Sequence, residues 1–249
     1  MILVLGGTAE ARELAAALHE CGAPVTTSLA GRVTRPRLPP GEVRIGGFGG
    51  PEAFAEWLGE HKVTRVIDAT HPFAERISAS AVTACAAARV PLLRLERPGF
   101  SERPDDRWRW VEDLEQAAAL VAGLGERVLL TTGRQGLPAF AALDAWFLIR
   151  CVDPPTPPLP ARHEVLLDRG PYTLEGELAL IDHHRIDVLV TKDSGGAHTS
   201  AKLDAARARG LPVVVVRRPG RPASQRVSSV AQALAWAHET ASSQSRTPG

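Results

Sequence analysis

The chain has 249 residues, of which 44% are hydrophobic, 23% charged and 5% aromatic; this mostly aliphatic balance excludes a disordered, collagen-like or coiled-coil protein and suits two small cores. Its 29 Lys and Arg against 28 Asp and Glu give a formal charge of +1, so no chain-wide field would hold nucleic acid or an anionic membrane, and an anionic ligand needs a local cluster. The three cysteines, Cys21, Cys85 and Cys151, are odd in number and far apart, which suits neither a disulfide framework nor a zinc site; reduced thiols and no metal are expected.

The chain runs from Met1 straight into the apolar Ile2-Leu3-Val4-Leu5. No basic leader precedes it, and no stretch approaches the roughly 18 apolar residues of a membrane span, so a cytoplasmic protein is expected. Short aliphatic runs ending in small residues then alternate with Ala/Leu/Glu/Arg-rich stretches of helical spacing, the pattern of βαβ units and a parallel sheet. The first half predicts strands at 2–5, 25–29, 43–45, 65–68 and 92–95 and helices near 10–21, 51–60 and 74–89. Residues 96–109, with Pro98, Gly99 and Pro104 and no periodicity, are expected to cross between domains. Beyond them the pattern predicts strands at 127–131, 146–151, 165–167, 188–191 and 213–217. Helices are expected near 112–124, 174–184, 199–209 and 229–239, the last with Ser228 as N-cap. The prolines of 153–160 impose an extended connection, and the Ser-rich 241–249 reads as a frayed tail. The division expected is a first domain over 1–97, a connection over 98–110, a second α/β domain over 111–240 and the tail.

Ligands of open parallel sheets collect at the carboxyl ends of strands, where helix N-termini offer free N–H groups. After the first strand stand Gly6, Gly7, Thr8, Ala9 and Glu10. Two glycines allow a tight turn and a close ligand approach, and Thr8 either caps the helix or bonds a phosphate, although the full G-x-G-x-x-G is absent. The second strand ends in Ser28, Leu29, Ala30, Gly31 and Arg32, with no acid where an NAD-binding domain places one for the ribose. Ser28 and Arg32 suit a 2′-phosphate instead, which points to NADP(H); the alternative for Arg32 is a solvated arginine in the basic loop through Arg35 and Arg37. The third strand leads into Gly46-Gly47-Phe48-Gly49-Gly50, best explained by a backbone close to a ligand. The fourth leads into Asp68-Ala69-Thr70-His71-Pro72-Phe73, where Pro72 holds His71 extended and aims it at the strand ends. On these residues alone His71 and Asp68 read more readily as structural groups, Asp68 as a satisfied buried carboxylate, than as ligand contacts.

In the second half Arg134 follows Gly133 at a strand end, and Arg150 lies beside another. Residues 191–202 join a strand to a helix and hold two of the three lysines, Lys192 and Lys202, with several hydroxyls and Gly195-Gly196. The segment suits anions but is no Walker A loop, since no Gly-Lys-[ST] opens the helix; a glycine turn capped by Thr199 is the alternative. Tyr172 is the single tyrosine, and His183-His184 read as surface.

As a set, Gly6-Gly7-Thr8-x-Glu10-Ala11, Ser28 to Arg32, the glycine run at 46–50, DATHPFA at 68–74, Arg169-Gly170-Pro171 and TKDSGG at 191–196 resemble the precorrin-6A reductase family of cobalamin biosynthesis, in the family's order and over residues 1 to about 219. The resemblance implies an α/β chain of two Rossmann-like (flavodoxin-like) parallel-sheet domains with an interdomain cleft, an NADPH cofactor, and reduction of one double bond of a tetrapyrrole to give precorrin-6B. By the same resemblance NADPH is assigned to Gly6, Gly7, Thr8, Ala9, Glu10, Ser28, Ala30, Gly31, Arg32, Gly46, Gly47, Phe48, Gly49, Thr70, His71, Pro72 and Phe73. The acetate and propionate groups of the substrate would meet Arg134, Lys192, Ser194, Gly195, Gly196, Thr199 and Lys202, with Arg150 at the rim. Hydride transfer would rest mainly on positioning; a side-chain proton donor, if one acts, is His71 or Lys192, with Tyr172 next. A cobalt-containing substrate and a non-catalytic sensor remain open, whereas a Tyr-x-x-x-Lys reductase is disfavoured because Gly176 stands four residues after Tyr172. Neither cysteines nor heptads report on oligomeric state.

Overall fold

The computed structural model describes residues 1–31, 37–196 and 199–239. The chain folds as two units, Met1–Arg97 with the chain after Pro219, and Pro98–Pro219.

The first unit is built on strands β1 (Ile2–Leu5), β2 (Val25–Leu29), β3 (Glu42–Ile45), β4 (Arg65–Asp68), β5 (Leu92–Leu95) and the late β12 (Gln225–Val227). They pair in parallel in the order β12-β5-β4-β1-β2-β3. Successive residues of a strand face opposite sides, and β1 buries both. Ile2 and Val4 join the cluster under α1 (Ala9–Glu20) and α7 (Val230–His238), with Leu14, Leu18 and Trp236. Leu3 and Leu5 join the opposite cluster under α2 (Pro51–Glu60) and α3 (Glu75–Ala88), with Phe54, Leu58 and Ala81. The buried residues of α1, Ala11, Leu14, Ala15 and Leu18, recur at the 3–4 residue spacing of one helix face. Each such Leu or Phe contributes about 1.5–3 kcal/mol on burial.

Two expectations change here. The second domain does not run to residue 240: β12 adds to the edge of β5, and α7 lays Ala233, Trp236 and Ala237 against the α1 face. The physical reason is an open sheet edge and a matching apolar stripe in the first unit. The N-cap of α7 is Ser229 rather than Ser228, because the Gln232 side chain reaches back to the Ser229 N–H while Ser229 Oγ accepts from Gln232 N.

The second unit contains β6 (Arg107–Val111), β7 (Arg127–Leu130), β8 (Trp146–Cys151), β9 (Arg162–Leu167), β10 (Val188–Lys192) and β11 (Pro212–Val216), parallel in the order β6-β11-β10-β7-β8-β9. Strand β6 begins inside the expected connection 98–110, which is part of this unit. Its alternation Arg107-Trp108-Arg109-Trp110 puts the tryptophans against the core. On one face α5 (Leu174–His184) and α6 (Ala201–Ala208) cover Leu129, Leu148, Leu189 and Val213. The rest of the helical layer is α4 (Leu114–Val121) and an unexpected 3-10 helix, Arg134–Phe140, whose Phe140 ring lies 5.9 Å from that of Phe147.

Both sheets run in one doubly wound order, with β7-β8-β9 and β10-β11-β6 standing where β1-β2-β3 and β4-β5-β12 stand in the first. The direction of winding therefore reverses between β1 and β4 and between β7 and β10, where crevices for ligands form outside the strand ends. Among the described residues no helix is long and apolar enough to cross a membrane, and no group of three His, Cys, Asp or Glu is placed to hold a metal. Cys85 and Cys151 are buried free thiols and Cys21 an exposed one.

Candidate functional site

In the first unit the loops after β1 and β4 flank the reversal point. Thr8 caps α1, its Oγ1 accepting from Ala11 N at 3.1 Å and donating to the Ala69 carbonyl at 2.9 Å. That hydroxyl is 8% exposed and its hydrogen is spent inside the protein, so it joins the two loops rather than facing a ligand. Gly6 is required for packing, since a Cβ would stand 2.9 Å from Thr27 Cγ2. Gly7, at φ +117°, has open space where its Cβ would be. A shallow cleft here is lined by Thr8, Glu10, Thr70, Pro72, Leu95 and Arg97. Glu10, in the first turn of α1, is ion-paired with Arg97 at 2.7 Å, a residue the sequence reading passed over.

The 68–74 loop is held from beneath. Asp68, 1% exposed, accepts from Thr70 N, Thr70 Oγ1 and Ser78 Oγ at 3.1, 2.6 and 2.6 Å, and Arg94 Nε lies 3.5 Å away. Of its two readings, the satisfied buried carboxylate is the one observed. His71 Nδ1 accepts from Phe73 N at 3.2 Å, so the neutral ring carries its proton on Nε2. Its carbonyl accepts from Arg221 Nη2 at 2.5 Å, and Pro72 is buried. Arg221, unforeseen, comes from the chain after Pro219 and also lies 3.4 Å from Thr70 Oγ1. The run of basic residues 217–221 was the signal available.

Farther along the sheet, Ser28 is buried and Ala30 and Gly31 are exposed, while Arg32 lies outside the described residues. Arg44 of β3 supplies the cation here. Its Nη1 donates to Ser28 Oγ at 3.1 Å and to the Gly46 carbonyl at 2.8 Å, and its Nη2 to the Gly47 carbonyl at 2.6 Å. Phe48 is not free to meet a ligand with its ring faces: Phe54 stacks on it at 3.8 Å, and the Arg44 guanidinium lies 3.7 Å from its centre. Two groups that close must occupy opposite faces. Gly46 is spent inside the loop, its N–H donating to the Leu29 carbonyl at 2.8 Å and its carbonyl accepting from Arg44, so Gly47 and Gly49 are left to offer backbone, with Phe48 as their anchor.

In the second unit Lys192 ends β10, and the loop after β7 brings Arg134 into the 3-10 helix, on the two sides of the second reversal point. Lys192 is half-buried, and burial lowers its pKa. Arg134 is 39% exposed, with Asp153 at 3.9 Å. The other expected substrate contacts turn inward. Thr199 Oγ1 donates to the Gly195 carbonyl at 3.0 Å and lies 3.4 Å from Ser194 Oγ, which is 9% exposed. Lys202 is 4% exposed and donates to the Thr199 carbonyl at 2.7 Å, so it braces the loop. Gly195 sits against the Pro98 carbonyl, 2.1 Å from where a Cβ would be, and Gly196 has φ +81°. Asp193, unremarked in the sequence, accepts from Phe100 N at 2.8 Å and lies 3.2 Å from Arg218 Nε. Arg150 is not at a rim: it is 6% exposed, bonded to buried Glu177 at 2.5 Å, with the Tyr172 ring 4.0 Å from its guanidinium. Tyr172 has its pKa raised, chiefly by burial. His184 is not surface either, since its ring stacks on Trp146, whereas His183 is exposed.

Comparison with known proteins agrees with this fold. Residues 1–238 match the family model described as precorrin-6x reductase CbiJ/CobK. A precorrin-6A reductase of Rhodococcus erythropolis is 54% identical over 94% of this chain and 96% of its own. A solved structure described as CobK precorrin-6A reductase superposes with a TM-score of 0.90 at 42% identity, covering 94% of both chains. A cobalt-precorrin-6A reductase of Priestia megaterium is 31% identical over 88% of this chain and 91% of its own.

Proposed function

Since the chain belongs to the precorrin-6x reductase family, we propose that it reduces precorrin-6A to precorrin-6B with NADPH, in the cytoplasm, as a step of cobalamin biosynthesis. The observation that carries the reading is the doubly wound first unit, whose reversal point lies between an open Gly7 turn and the His71 loop and whose β2 end offers a serine, an arginine and no carboxylate. These residues fit a dinucleotide phosphate ester, and an acid at the β2 end would have opposed it.

When bound, NADPH supplies the hydride, and the protein supplies place and electrostatics. The backbone from Gly6 to Glu10 and from Thr70 to Phe73 would hold the dinucleotide across the reversal point. His71 would be the proton donor if a side chain acts, its ring oriented by the Phe73 N–H on Nδ1 and its backbone held by Arg221. Lys192 and Arg134, at the strand ends of the second unit, would receive substrate carboxylates, while Ser194, Thr199 and Lys202 keep the loop in shape. A partly desolvated Lys192 binds a carboxylate more strongly than a solvated one, because the attraction is less screened. The greater identity to the precorrin-6A reductase than to the cobalt-precorrin-6A reductase, 54% against 31%, favours a substrate without cobalt.

Anaerobic incubation with precorrin-6A and either NADPH or NADH tests the reading. Nicotinamide oxidation and the tetrapyrrole spectrum should change together, with NADPH strongly preferred. Binding of both ligands without turnover would favour a sensor, and turnover of the cobalt-containing substrate alone would place the protein with the more distant relatives.

A further inference from the structure

Arg44 and Ser28 face each other in register at the carboxyl ends of β3 and β2. Arginine has five N–H donors in one plane. Three of them go inward, to Ser28 Oγ, Gly46 O and Gly47 O, and the Phe48 ring backs the guanidinium at 3.7 Å. What remains is the Nε hydrogen and one on Nη2, the pair that presents a side-on fork to a planar or tetrahedral oxyanion. Among the described residues no carboxylate pairs with this cation: the nearby Glu42 is bonded to Thr26, at the other end of the strand. Partial burial lowers the pKa of Arg44, and an anion beside it would stabilise its charged form.

We propose that Arg44, with Ser28 beside it, is the binding site of a phosphomonoester on the adenosine ribose, and is thereby the residue that makes the protein choose NADPH over NADH. The end of β2 is where a doubly wound sheet meets that ribose. The inference rests on the NADPH reading and assigns a residue other than Arg32 to its discriminating contact. Three inward bonds and an aromatic backing hold the guanidinium in place before the ligand arrives, so little side-chain freedom is lost on binding.

The test is titration of the purified protein with NADPH, NADH, 2′,5′-ADP and 5′-AMP, followed by calorimetry and nicotinamide fluorescence, for the unaltered chain and for Arg44→Ala, Arg44→Lys and Arg32→Ala. Circular dichroism and a melting curve confirm that each variant folds. Arg44→Ala should weaken NADPH and 2′,5′-ADP by about ten- to a hundredfold, as loss of a charge-assisted bidentate contact does, and leave NADH and 5′-AMP within about twofold. Arg44→Lys, which keeps the charge and loses the fork, should fall between. A preference for NADPH that survives Arg44→Ala and vanishes in Arg32→Ala would overturn the inference while keeping the cofactor. Equal weakening of all four ligands would overturn it too, by making Arg44 a brace for the glycine loop. Equal affinity of the unaltered protein for NADPH and NADH would overturn the cofactor reading and this one together.

Discussion

Replacing Thr8 with valine keeps the shape of the side chain and removes the hydroxyl that both caps α1 and donates to Ala69. Losing an N-cap costs about 0.5–2 kcal/mol, and the Ala69 carbonyl, in a residue 1% exposed, loses a donor at about 1–3 kcal/mol. Together these give about 1.5–5 kcal/mol and, for a chain of this size, a fall of about 3–20 °C in melting temperature. Scanning calorimetry of Thr8→Val, with Thr8→Ser as the variant that restores both bonds, measures it directly. NADPH affinity should weaken only as far as the loops lose their mutual anchoring, and Thr8→Ser should recover both affinity and melting point. An unchanged melting temperature beside a large loss of NADPH affinity would show that the hydroxyl serves the ligand, and would refute the reasoning.

Glu177→Gln leaves Arg150 buried without its countercharge, which costs about 3–5 kcal/mol, whereas the double variant Glu177→Leu/Arg150→Met should regain most of that in urea unfolding. Lys192 is held below the ordinary lysine value of 10.5 by burial. Between its lowered value and 10.5 the unfolded chain binds the proton and the folded one does not, so stability rises with pH across that window, and below it the buried charge destabilises in full. Lys192→Met should therefore raise the melting temperature near neutral pH and flatten that rise, while weakening substrate binding; melting curves from pH 7 to 10 and a precorrin-6A titration report the two effects. A Lys192→Met protein that is less stable at every pH would show that the ammonium is a net stabilising group.

The strands of both cores were legible because parallel strands covered on both faces are continuous aliphatic runs, as in Ile2–Leu5 and Pro212–Val216. What escaped was short or half-buried: Arg107–Val111 alternates Arg with Trp and sits beside prolines, and Gln225–Val227 has three residues and no apolar run. The assignment of α7 to the first unit was illegible for another reason, since an apolar helix face names no partner until the chain has crossed back. The same holds at the candidate site. Strand-end glycines and Lys192 could be found from local pattern, but the pairing of Ser28 with Arg44 depends on strand register, and the grip of Arg221 on His71 joins residues 150 positions apart. Residue type alone likewise suggested that Arg150 and Lys202 would face a ligand; their burial against Glu177 and Thr199 is a product of packing.

The most direct test of the reductase reading uses NADPH carrying deuterium at the transferable position of its nicotinamide. Anaerobic turnover of precorrin-6A should yield a precorrin-6B heavier by one deuterium, together with one unlabelled NADP⁺ per product. A reduced product that contains no deuterium, or a labelled NADPH that is oxidised while the tetrapyrrole stays unchanged, would contradict direct hydride transfer on this protein.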